Sequence, residues 1–124
     1  MVKALSPHYD FKFFSETDFN QDTLTEVDIV AFPGGIGDAS RFHDFFNRTR
    51  GNIVADFIDR GGHYLGICMG AYWAGQHYFD ILDGCDAVQY IKRPNTDIRR
   101  SYGTYARVNW QGQDHNMYLS LIHI

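Results

Sequence analysis

The stretch that most constrains the fold runs from Gly61 to Tyr72, Gly-Gly-His-Tyr-Leu-Gly-Ile-Cys-Met-Gly-Ala-Tyr, and sets Cys68 between Gly66 and Gly70 after a short apolar run. A strand that turns abruptly into a helix forces the residue at the turn into a strained backbone conformation. Its neighbours two places away can then approach closely only if they lack side chains. Glycines fill both places. Such a turn lifts the sulfur out of the sheet and sets it at the start of the next helix, where unsatisfied N–H groups favour an anion. The pattern is that of a nucleophile elbow with cysteine at its apex, and it makes the Cys68 thiol the candidate catalytic group. A bare Gly-x-Cys-x-Gly also fits a buried cysteine in a glycine-rich turn. Context favours the elbow: residues 63–67 read as a buried strand after a helix stop at Gly61-Gly62, and Met69 to Gln76 as a helix of small residues.

A second glycine turn stands upstream. Val27 to Phe32 is a short apolar run ending in Pro33-Gly34-Gly35, as expected of a buried parallel strand running into a loop. In acyl transfer an oxyanion is held by one backbone N–H just after the nucleophile and another from a glycine loop on a neighbouring strand. Met69 would supply the first, and Gly34 or Gly35 the second. Taken alone, Pro-Gly-Gly is only a chain reversal. Two glycine turns at the C-terminal ends of buried strands lie on the edge where open α/β sheets bind ligands.

Between these turns, Asp38 or Ser40 is placed to cap a helix carrying Phe42, Phe45 and Phe46, and Asn52 precedes a second helix with Ile53, Val54, Phe57 and Ile58 on one face. Ahead of them, Met1 to Pro7 reads as a helix end and turn, Tyr9 to Phe14 as an aromatic strand, and Glu16 to Thr25 as loop or short helix. Beyond Gly75, Ala87 to Ile91 reads as a strand. Tyr105 to Trp110 alternates, with Gln111-Gly112 as a hairpin turn into Met117 and Leu119. The order is that of an α/β domain with a parallel sheet and a β-hairpin near the C-terminus.

These motifs resemble the class I glutamine amidotransferase-like fold, and within it most closely the domain at the N-terminus of biotin-protein ligases and its stand-alone bacterial relatives. The likeness runs from Leu5-Ser6-Pro7-His8-Tyr9 to about Trp110 and is most specific at Cys68. It implies a flavodoxin-like parallel sheet with helices on both faces. It also implies Cys68 as the nucleophile-position residue, with Gly34, Gly35 and Met69 around its oxyanion hole. That family opens with a further strand and glycine-rich loop, so Met1 is expected to be internal to a longer protein. Leu119 to Ile124 resembles a translated sequencing adapter, which leaves one partial domain over 1–118 and gives His123 no role.

Amidotransferases complete the triad with His-x-Glu, a pattern that this sequence lacks. His115 reads as a hairpin-surface residue, and His63 and His77, flanking the elbow, as structural groups. Two functional readings follow. One is a cysteine-nucleophile hydrolase or amidotransferase-like enzyme acting on a carbonyl or amide. The other is a non-catalytic binding or regulatory domain like that appended to the ligase. A redox or glyoxalase-like branch often has histidine directly after the cysteine, where this chain has Met69.

Net charge is −4, but residues 1–91 carry 6 Lys and Arg against 13 Asp and Glu, and residues 92–124 carry 5 against 2, so the balances are −7 and +3. Overall acidity argues against a nucleic-acid partner. The basic set Lys92, Arg93, Arg99, Arg100 and Arg107 reads either as a solvated face or, through Arg99 or Arg100, as a clamp on an anionic substrate group. Tyr72 is read as core or as pocket wall against the substrate. Two cysteines make no disulfide framework, and the histidine spacings offer no metal site. No apolar run approaches a membrane span. The expected protein is soluble and cytoplasmic, needs no cofactor, and meets a small-molecule substrate or a ligase-type partner domain, with oligomeric state left open.

Overall fold

A computed structural model describes residues 1–15, 17–34, 41–89, 92–96, 98–99 and 103–119. The chain falls into two compact units, Met1–Asp86 and Ala87–Ile124.

In the first unit a short helix α1 (Val2–Leu5) leads to a 3-10 turn (Gln21–Leu24) and strand β1 (Ile29–Phe32). Helices α2 (Arg41–Phe45) and α3 (Arg48–Asp59), strand β2 (His63–Gly66) and the short helix α4 (Met69–Tyr72) follow. The strands β1 and β2 pair in parallel, with Ile29 opposite His63 and Phe32 opposite Gly66. The ladder is extended at both ends, by His63 N–H donating to Asp28 O at 2.9 Å and Ile67 N–H to Phe32 O at 3.0 Å. Parallel pairing needs a crossover connection, and α2 and α3 lie in that connection.

The helix α3 is specified at both ends. Asn47 Oδ1 accepts from Arg50 N–H at 3.0 Å, so the N-cap is Asn47, and Asn52 lies inside the helix rather than ahead of it. At the other end Gly61 N–H donates to Ile58 O at 2.8 Å and Gly62 N–H to Phe57 O at 3.0 Å, with Gly61 at φ 95°. This is a Schellman stop, and the left-handed residue it needs is the glycine read as the helix end. The expected caps Asp38 and Ser40 lie outside the described residues.

The core of this unit is aromatic. Phe19, Phe32, Phe42, Phe46, Phe57 and Phe79 are buried with Leu24, Val30 and Val54. Phe32 meets Phe46, Phe79 and Trp73 at ring-centroid distances of 5.5, 5.2 and 5.6 Å. Each fully buried phenylalanine contributes about 1.5–3 kcal/mol.

Three elements differ from expectation. Residues 9–14 form no strand: among the described residues no ladder partner stands beside them, and Phe14 packs its ring on Phe19 at 4.9 Å while Phe13 is exposed. Aromatic β-propensity alone does not make a strand where the packing surface is a ring cluster. The helix after Cys68 stops at Tyr72 instead of reaching Gln76, because turns bring Phe79 N–H to Trp73 O at 2.9 Å and Asp86 Oδ1 takes Gln76 N–H at 3.1 Å. Residues 87–89 of the expected Ala87–Ile91 strand are irregular, and 90–91 lie outside the described residues.

The second unit holds the hairpin, β3 (Thr104–Trp110) and β4 (Gln113–Leu119), in antiparallel register from Thr104 opposite Leu119 to Trp110 opposite Gln113. Gln111 and Gly112 take φ 51° and 81°, the two positive angles that a two-residue turn needs to match strand twist. Asn109 Oδ1 accepts from Gly112 N–H at 3.1 Å and its amide donates to Asp114 at 2.9 Å, so one side chain braces both sides of the turn. The chain is thus α/β, with a small parallel sheet and a C-terminal antiparallel hairpin.

Candidate functional site

Cys68 sits between β2 and α4 with φ 58° and ψ −113°. A non-glycine residue reaches that region only when its surroundings over-determine it. The flanking glycines supply those surroundings. A Cβ on Gly66 would stand 2.5 Å from Gly70 O and 2.8 Å from Tyr64 Cε1, and one on Gly70 would collide with the carbonyl oxygen of Phe32. Strand and helix therefore meet backbone to backbone, and α4 packs on both strands.

The upstream glycine turn arrives at the same place. A Cβ on Gly34 would lie 2.7 Å from Cys68 Cβ and 3.2 Å from its Sγ, so Gly34 passes directly over the thiol. Beyond Cys68, Gly70 N–H donates to Ile67 O at 3.1 Å and Ala71 N–H to Cys68 O at 3.0 Å. Met69, at the first position of α4, has no intrahelical acceptor for its own N–H, while its side chain is buried.

Tyr72 lies one helical turn after Cys68 and is half-buried. Burial pushes its phenol above the ordinary value, and the charge of Cys68 adds to the rise, which sets the two groups within electrostatic reach. Cys68 is partly buried and Cys85 exposed, and both are free thiols. No side chain among the described residues makes a hydrogen bond to Cys68 Sγ.

The predicted residues Cys68, Gly34, Met69 and Tyr72 are therefore brought to one strand edge. Gly35 and Arg100 lie outside the described residues, and Arg99 is exposed in the second unit. His115 is exposed on β4 opposite Val108, as read for a hairpin-surface residue. His63 belongs to the far end of the sheet, where an open depression of about 550 Å³ is lined by Asp28, Arg60, His63 and the 3-10 turn. Among the described residues no three metal-binding side chains gather, and no helix is long and apolar enough to cross a membrane.

Sequence reasoning passed over Tyr64. Its phenol donates to Gly70 O at 2.6 Å, a bridge from β2 to α4 across the Cys68 turn, and burial raises its ionisation far above the ordinary tyrosine value. The available signal was its position two residues before Gly66, on the same face of the strand as that glycine.

Compared with known proteins, residues 1–87 match the family described as Biotin-protein ligase, N terminal. No curated protein and no solved structure matches.

Proposed function

The chain belongs to the biotin-protein ligase N-terminal family, and from that premise we propose that it is a binding or regulatory domain of the kind appended to such a ligase, without turnover of its own. Its ligand edge is the C-terminal end of β1 and β2, and Cys68 is the thiol that meets the ligand. The observation that carries this reading is the passage of Gly34 over Cys68, which joins the two glycine turns at a single point of the sheet. A carbonyl group bound at that edge would have the Cys68 thiol as its nucleophile and the Met69 N–H, at the first position of α4, as a candidate donor.

A second reading is favoured by the backbone of Cys68 itself. Its φ 58° and ψ −113° at a strand-to-helix turn are what a cysteine hydrolase or amidotransferase of the glutamine amidotransferase-like kind would use to present its nucleophile. Such an enzyme needs a general base, and the sequence holds no His-x-Glu pair to supply it.

An acyl probe separates the two. With p-nitrophenyl acetate, Cys68 attacks the carbonyl, a C–S bond forms and p-nitrophenolate leaves. The binding domain is expected to release at most one equivalent of nitrophenolate per chain beyond that released by Cys68→Ser, whose exposed Cys85 thiol also reacts, and to retain the acetyl group on Cys68 by mass spectrometry. Repeated turnover that is abolished in Cys68→Ser would overturn this reading in favour of the hydrolase. Absence of any acetylation at Cys68 would remove the thiol from both.

A further inference from the structure

We propose that Tyr64 is the positioning residue of the Cys68 turn: its hydroxyl holds the carbonyl of Gly70 and so fixes the first turn of α4 against β2. The inference rests on the reading above that Cys68 is the group that meets the ligand, and deepens it by naming what aims the thiol.

The argument begins with the length of α4, which at four residues cannot hold itself by its own hydrogen bonds. In a longer helix the Gly70 carbonyl would accept from Ala74 N–H. Here Ala74 N–H turns to Ala71 O at 3.4 Å, and the chain leaves the helix. The Gly70 carbonyl is thereby left for another donor, and Tyr64 OH supplies it at 2.6 Å. The bond closes the segment from Tyr64 to Gly70 into a ring with Cys68 on it.

Besides the Tyr64 bond, the helical side of that ring is tied to its strand side by Gly70 N–H donating to Ile67 O at 3.1 Å, a bond local to the turn. Ile67 is tied to Phe32 by its N–H, which fixes the strand side. Gly66 and Gly70 allow close approach but do not enforce it. The Tyr64 ring is itself held, against Phe32 at 5.6 Å and Phe79 at 6.0 Å, so its hydroxyl is delivered from the core. A tyrosine phenol is protonated across the neutral range and burial raises its ionisation further, so it remains a donor. With the donor gone, the ring of residue 64 keeps its packing while α4 is held to β2 by the local turn bonds without the bridge from the core, and a tilt of the helix moves Met69 N–H and the thiol together.

The test uses the full chain and reads the rate of iodoacetamide labelling at Cys68 relative to Cys85, the exposed thiol in the same molecule. In wild type the ratio is expected to exceed one. Tyr64→Phe is expected to lower it by about three- to tenfold, the range set by loss of one hydrogen bond. Val54→Ala, which opens the core at a fully buried position on α3, is expected to lower the thermal midpoint and leave the ratio unchanged. Replacement of Tyr64 by 4-aminophenylalanine, which restores a donor at the same ring position, is expected to return most of the ratio.

If Tyr64→Phe retains the wild-type ratio, or Val54→Ala loses it equally, Tyr64 is no more than packing and the inference falls while the reading of Cys68 stands. If wild-type Cys68 labels no faster than Cys85, the reading of the site falls and takes the inference with it. Should the phenylalanine variant not fold, the 4-amino variant carries the test: folded with a high ratio it supports the role, folded with a low ratio it overturns it.

Discussion

A methyl group at Gly34 has nowhere to go, since it would stand 2.7 Å from Cys68 Cβ, and that Cβ belongs to a residue already held at positive φ. Gly34→Ala is therefore expected to cost about 1–3 kcal/mol and to slow alkylation of Cys68. Gly70→Ala meets the rigid carbonyl of Phe32 instead and is expected to cost more than Gly34→Ala. Urea midpoints rank the two, and a Gly34→Ala chain with wild-type midpoint and labelling would contradict the close packing of the turns. The buried phenols give a pH signature. Tyr64 is shifted upward by burial, and Tyr72 by burial and by Cys68, so both hold their protons longer folded than unfolded. Their contribution is fully present below the ordinary tyrosine value of about 10 and is lost as pH rises beyond it, because the unfolded state then binds fewer protons. Stability is expected to fall as pH rises above about 10, by urea titration, and less steeply in Tyr64→Phe. An equal slope in that variant would mean that Tyr64 is not the group responsible.

Within α3 and just beyond its end, two glycines have opposite meanings. Gly51 lies inside the helix with nothing within 4 Å of a Cβ, so Gly51→Ala is expected to stabilise by about 0.5–1 kcal/mol through lost unfolded-state entropy. Gly61 also has open space around it but sits at φ 95°, so Gly61→Ala is expected to destabilise by about 1 kcal/mol or more. Thermal midpoints moving in the same direction would show that the helix stop is not set by Gly61. This pair also shows what the sequence discloses. Gly61-Gly62, the Val27 to Phe32 run, the turn at Cys68 and Gln111-Gly112 were legible because each rests on a backbone demand that few residues meet. The start of α3 is not legible in the sequence because Asn47 and Asn52 have equal capping chemistry, and it is the Arg50 N–H on Asn47 Oδ1 that identifies the cap. The aromatic run at 9–14 misled because a phenylalanine that pairs in a sheet and one that fills a ring cluster carry the same local signal. Tyr64 was missed because its role depends on where α4 stops, which is decided by Asp86 and Phe79 far along the chain.

The two compact units divide the charge as they divide the chain. Residues 87–91 carry no charged side chain, so the balances of −7 and +3 found for residues 1–91 and 92–124 belong to Met1–Asp86 and Ala87–Ile124 themselves. The family match ends at residue 87, beside the same boundary. The aromatic cluster lies wholly in the first unit, while the second displays Tyr105, Trp110 and Tyr118 in the open. A hairpin of two strands is marginal in water, whereas a ring cluster with α3 capped at both ends is a core. Proteolysis should therefore distinguish them. Lys92 is exposed on a 3-10 turn and Arg99 on a residue without helix or strand, whereas Arg48 and Arg50 lie within α3. Brief trypsin treatment is expected to cut after Lys92 or Arg99 before any bond inside α3. The larger fragment should keep the near-ultraviolet signal of the packed phenylalanines and tryptophan and should keep the Cys68 labelling rate, since Gly34, Tyr64, Cys68 and Tyr72 all precede the cut. Early cleavage after Arg48 or Arg50 would mean that the first unit is not the stable body of the molecule. Loss of Cys68 labelling in a fragment that keeps its aromatic signal would mean that the first unit does not hold the Cys68 turn by itself.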